Sequence, residues 1–90
     1  MDAGGAPNVA LTKAPMKQSY YVEALWDRDA CVWYSESDIP GLVIEASSVA
    51  EFERLMNELA PEMLAINEHI HNERVSVEFR VKATREIAVV

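Results

Sequence analysis

Ninety residues, half of them apolar and the charged ones mostly dispersed singly, make one folded soluble domain; two would each fall below the size at which a core holds without disulfides or metal. The formal net charge of -7 opposes a polyphosphate backbone, so nucleic-acid binding by this domain alone is disfavoured. A lone cysteine excludes an internal disulfide, and no apolar run is long enough for a membrane span or a secretory signal, which places the chain in the reducing cytoplasm.

Residues 1–18 contain Gly4-Gly5, Ala6-Pro7 and Ala14-Pro15 with little periodicity, the chemistry of a disordered N-terminal tail. Residues 19–90 are then the single domain. Met16-Lys17-Gln18-Ser19 looks like a natural protein start, so the tail reads as either an upstream extension or a leftover of cloning.

From Tyr20 the pattern has period two. Val22, Ala24 and Trp26 point inward, while Tyr21, Glu23, Leu25 and Asp27 point outward. Asp27-Arg28-Asp29-Ala30 lacks the glycine of a primed turn and predicts a type I turn with Asp27 first. In the second strand Cys31, Trp33 and Ser35 face inward and Val32, Tyr34 and Glu36 outward, which makes Cys31 a buried, inert thiol. Asp38, Pro40 and Gly41 mark a structural corner, because Pro40 fixes its own backbone angle and Gly41 permits a left-handed one. The third strand turns Leu42, Ile44 and Ala46 inward and Val43 and Glu45 outward.

Ser48 with Glu51 forms a capping box, and Val49, Phe52, Leu55, Met56, Leu59 and Met63 recur at helical spacing. Pro61 lies inside that pattern and predicts a kink, or an end near Ala60 with a restart, before the helix closes about Asn67. Beyond a polar connector, Val75, Val77, Phe79 and Val81 alternate with Ser76, Glu78, Arg80 and Lys82 as a fourth strand whose apolar face joins the core. The whole is a β-β-β-α-β, α+β two-layer sandwich: a three-stranded antiparallel meander, one kinked helix on one face, and a last strand that a right-handed crossover allows beside either the first or the third.

Chemistry has few footholds. Glu23, Asp27, Asp29, Glu36, Asp38 and Glu45 surround the meander and, if paired, would hold Mg²⁺ in a small nuclease-like enzyme; carboxylates at strand ends more often serve as turn and solubilising groups. His69 and His71 beside Glu68 lack a third ligand. Arg74, Arg80, Lys82 and Arg85 gather on the last strand, where an RNA-binding module would need basic residues interleaved with aromatics; a solvated edge is the plainer reading. No phosphate loop or nucleophile elbow is present, so no catalytic residue, cofactor or metal site is assigned. The open side of the sheet is different: Tyr21, Leu25, Val32, Tyr34 and Val43 form a partly apolar patch of the kind that marks contact surfaces. These five are the candidate partner-binding residues, and a domain this small gains stability from a second protomer, so a homodimer is expected.

Tyr21-Val22-Glu23-Ala24-Leu25-Trp26-Asp27, Val32-Trp33, Ser37-Asp38-Ile39-Pro40-Gly41-Leu42 and the helix from Ser48 to Asn67 with Leu59-Ala60-Pro61-Glu62 together resemble a family of short uncharacterised bacterial proteins related to the N-terminal domain of HicB antitoxins. That resemblance implies a HicB-like, degraded ribonuclease H-like fold with the last strand parallel to and beside the first. It also implies a non-catalytic toxin-antitoxin protein that masks a small basic toxin ribonuclease. Of the motif residues, Asp38, Pro40 and Gly41 carry over as a structural corner only.

Overall fold

The computed structural model describes residues 19–90; the expected tail, residues 1–18, lies outside them. Strand β1 spans Ser19–Asp27, β2 Val32–Ser37 and β3 Glu45–Ala46, helix α1 spans Val49–Glu68, and β4 spans Ser76–Lys82. The four strands form one mixed sheet in the order β3-β2-β1-β4. Neighbours within the meander are antiparallel, and β4 runs parallel to β1. With one helix laid on one face, this is an α+β fold.

Period-two alternation builds the core layer. Tyr20, Val22 and Ala24 of β1, Trp33 of β2 and Ala46 of β3 are buried against Phe52, Met56, Ala60 and Leu64 of α1, with Ile39, Leu42 and Ile44 closing the end of the sheet. Phe79 of β4 stacks on Phe52 with ring centroids 5.8 Å apart. The apolar stripe at helical spacing thus faces the apolar side of the strands, the arrangement that removes most apolar area from water.

The corner between β2 and β3 is held by side chains. Ile39 O accepts from Leu42 N–H at 3.2 Å, and Gly41 has φ +83°, the third position of a type II turn with Pro40 at the second. The Ser37 hydroxyl donates to Tyr21 O at 2.7 Å, and the Asp38 carboxylate accepts from Tyr21 N–H at 2.9 Å. Both backbone groups of Tyr21 are therefore satisfied by side chains at the point where the β1–β2 ladder ends at Val22↔Ser37.

Five local expectations are corrected. Cys31 is exposed and sits in the turn, not in β2: the Asp27 carboxylate accepts from Asp29 and Ala30 N–H, Asp27 O accepts from Cys31 N–H, and closing this four-residue loop forces Cys31 to φ +57°. Of the two outcomes expected at Pro61, the end and restart does not occur: α1 is continuous over Val49–Glu68, because Asn57 and Pro61 are both exposed and the carbonyl that loses its donor is left to water. The third strand spans only two residues: the Ile44 carbonyl still accepts from Ser35 N–H at 3.0 Å, but the Ser35 hydroxyl captures Ile44 N–H at 2.8 Å in place of a ladder bond. The capping box is half made: Ser48 Oγ accepts from Glu51 N–H, while the Glu51 carboxylate turns to Arg54. Val81 stays 48% exposed, beyond the reach of the helix.

The uncovered face of the sheet as candidate functional site

Opposite the helix, the sheet presents Tyr21, Glu23 and Leu25 from β1, Val32, Tyr34 and Glu36 from β2, and Glu78, Arg80 and Lys82 from β4. The register sorts them into rows. Leu25 lies opposite Tyr34 on one side and Lys82 on the other, and Tyr34 lies opposite Glu45 of β3. One step along, Glu23 lies between Glu36 and Arg80.

That middle row is electrostatically coupled. Two carboxylates directly opposite repel, and the Arg80 guanidinium on the far side of Glu23 offsets this, with Nε 3.4 Å from the Glu23 carboxylate and 3.8 Å from that of Glu78. Arg80 Nε is shielded from solvent yet has no hydrogen-bond partner, so the attraction to Glu23 acts through space without bond geometry. The guanidinium also lies 4.8 Å from the centroid of the Tyr21 ring, a cation–π contact.

The charged row divides the five residues singled out by alternation. Tyr34, 40% exposed, stands between two hollows: one of about 560 Å³ lined in part by Val32 and Val43, the other of about 1080 Å³ lined in part by Leu25 and residues 81–86. The structure thus gathers Leu25, Val32, Tyr34 and Val43 at the hairpin end. Tyr21 lies apart, beneath Arg80. Alternation sets Arg80 and Lys82 on the polar side of the last strand, and the parallel register of β4 beside β1 makes them the neighbours of Glu23 and Leu25.

The other candidates stay dispersed. Asp27 and Asp38 are spent on turn and corner hydrogen bonds. Among the described residues no three His, Cys, Asp or Glu side chains are grouped to hold a metal ion, and no helix is long and apolar enough to cross a membrane. Asp38, Pro40 and Gly41 lie together at the corner, away from the Tyr34 end of the sheet.

Residues 19–90 match the model of the domain of unknown function DUF1902. The chain is also similar to a solved structure, a hypothetical protein, TTHA1013, from the extremely thermophilic bacterium Thermus thermophilus, with 38% identity and a TM-score of 0.59 over 79% of this chain and 99% of that one. None of the curated proteins matches the chain significantly. Neither the family nor the Thermus protein is described as HicB. With the matched family model spanning the whole sheet and its helix, the chain belongs to the DUF1902 family.

Proposed function

We propose that this chain is a non-catalytic protein-interaction module of the cytoplasm that seats a basic protein partner on the uncovered sheet face. The observation that carries this reading is the cluster of Leu25, Val32, Tyr34 and Val43 on the side of the sheet opposite the helix, with Val43 76% exposed. An aromatic anchor rimmed by Glu36 and Glu45 suits a desolvated centre with a polar border. The net charge of -7 speeds encounter with a basic surface. The HicB-like motifs support an antitoxin-like role, in which the masked partner is a small toxin ribonuclease.

The test is affinity capture from native cells with the wild-type chain and with Tyr34→Ala and Val43→Asp, each checked for an unchanged circular dichroism spectrum. A small basic ribonuclease held by the wild type and lost from both variants supports the reading. Equal recovery of the same protein by all three forms overturns it.

A further inference from the structure

The two edges of the sheet are unequal. β3 pairs over two residues and leaves almost no template, whereas β4 is an outer strand of seven residues without proline. An edge of that length with free N–H and C=O groups invites pairing with another chain. Its helix-side surface is also only half covered. A groove of about 490 Å³ runs between Met56, Ala60 and Leu64 of α1 and Ile70, Val75 and Val77 on the β4 side. After β4, residues 83–90 form no strand and are exposed throughout, with Ile87 at 81% and Val89 at 93%.

We propose that a second copy of this chain occupies the β4 edge, antiparallel, about a two-fold axis at Phe79. The sequence of β4 is self-complementary in that register. Val77 lies opposite the second copy's Val81, and Glu78 opposite its Arg80. Farther out, Glu73 lies opposite its Arg85. Each relation occurs twice by symmetry, as an isologous contact requires, and oppositely charged or apolar cross-strand pairs are the ones that stabilise a sheet. Centring one residue earlier sets Arg74 against Lys82; centring one residue later pairs Glu78 with Lys82 and Arg74 with Glu86 but sets Arg80 against itself on the axis and Arg85 against Val75.

The same axis places both helices on one side of a continuous eight-stranded sheet. The half-exposed Val81 is then covered by the second copy's Val77, and the two Phe79 rings meet beside Phe52. Continued as an extended chain, the second copy's residues 83–90 run past Val75 toward His71, and period-two alternation keeps Ile87 and Val89 on the helix side. They enter the open end of the α1–β4 groove, which gives the exposed arm an occupancy. The strand pairing is made by the β4 edge and not by Leu25, Val32, Tyr34 or Val43, although drawing out residues 83–86 opens one of the two hollows beside Tyr34.

The test is a charge exchange in trans, read as mass by sedimentation over a dilution series of the full chain. The wild type is expected at twice 10.1 kDa. Glu78→Arg sets two like-charged pairs across the axis and Arg80→Glu sets two of the opposite sign; each raises the dimer dissociation constant about tenfold or more. Mixing the two variants restores the dimer as a heterodimer, which a defect in folding would not do. Because Arg80 also contacts Glu23 and Tyr21 within its own chain, the exchange is repeated with Glu73→Arg and Arg85→Glu, both at exposed positions. Wild-type monomer throughout the series overturns the proposal. So does a dimer insensitive to the single charge reversals, or failure of the Glu73→Arg and Arg85→Glu mixture to recover the wild-type dissociation constant.

Discussion

Asn67, the penultimate residue of α1, donates its side-chain amide to the carbonyl of Pro40 at 2.9 Å. The helix terminus is thereby tied to the corner between β2 and β3, and the contact leaves no room at the neighbouring glycine. A Cβ on Gly41 would lie 2.8 Å from Asn67 Nδ2 and 3.1 Å from Met63 Sδ, at a backbone φ of +83°. Gly41→Ala is therefore expected to cost about 1–3 kcal/mol, from the left-handed strain and the displaced amide together. Urea denaturation measures it, and a double-mutant cycle with Asn67→Ala separates the two causes. The clash with the amide disappears while the left-handed strain and the close approach to Met63 Sδ remain, so Gly41→Ala costs less in the Asn67→Ala background but still destabilises. A neutral Gly41→Ala in the wild-type background would refute this account of the corner.

Asp38 serves the same corner from the other side, accepting from Tyr21 N–H at 2.9 Å. Asp38→Ala removes the acceptor and leaves a partly buried donor unpaired, at a cost of about 1–3 kcal/mol. Asp38→Asn retains a carbonyl oxygen at that place and is expected to lose less than half as much. The denaturation midpoint should fall in that order with an unchanged slope, the sign of altered stability without altered compactness.

Tyr20 couples the start of β1 to the end of α1 by donating its hydroxyl to Glu68 Oε1 at 2.9 Å. Burial first, then the hydrogen bond to Glu68 and the charge of that carboxylate, push its pKa up to about 12 from 10.0. Because the folded-state value is raised, the folded chain holds its proton where the unfolded chain has released it. The contribution is therefore complete below pH 10 and is lost as pH climbs from 10 toward 12. Chemical denaturation of the wild type and Tyr20→Phe across pH 8–12 should show their stability difference changing in the wild type's disfavour over that window alone. Parallel curves above pH 10 would contradict the assignment.

Much of the architecture was legible because one physical signal dominates each element. Val22 and Ala24 alternate with charged and aromatic neighbours, Val49, Phe52, Leu55, Met56, Leu59 and Met63 keep a helical stripe that omits only the buried Ala60 and Leu64, and Pro40-Gly41 can make few turns. What escaped reading depends on tertiary geometry. Ser35 looks like an inward-facing strand residue until its hydroxyl takes Ile44 N–H and shortens β3. Pro61 looks like a helix breaker until the solvated side of α1 makes the lost bond tolerable. The candidate face was readable as the side opposite the charge-free one, yet its division was not. Arg80 stacks on Tyr21 and parts it from Tyr34 only because β4 lies parallel to β1 with Glu23 opposite Arg80, and that follows from the choice of sheet edge, which alternation within a strand does not encode.

Cys31 offers the clearest case of a residue whose type and backbone disagree. It closes the β1–β2 hairpin at φ +57°, a conformation that costs an L-residue roughly 1–2 kcal/mol and glycine nearly nothing. Its thiol contributes little in return, a weak contact at 3.6 Å to the carbonyl of Arg28. Cys31→Gly relieves the strain and also increases the freedom of the unfolded chain, which offsets part of the gain. The net expectation is a stabilisation of about 1 kcal/mol, which raises Tm by roughly 4–8 °C in a domain of this size. Cys31→Val should act oppositely, because a β-branched side chain tolerates that region least. The exposed thiol of the wild type should also react with a maleimide under native conditions as fast as in denaturant. A lowered Tm for Cys31→Gly, or a native thiol protected from the reagent, would show that the side chain supports the turn in some way that its exposure and its single weak contact do not indicate.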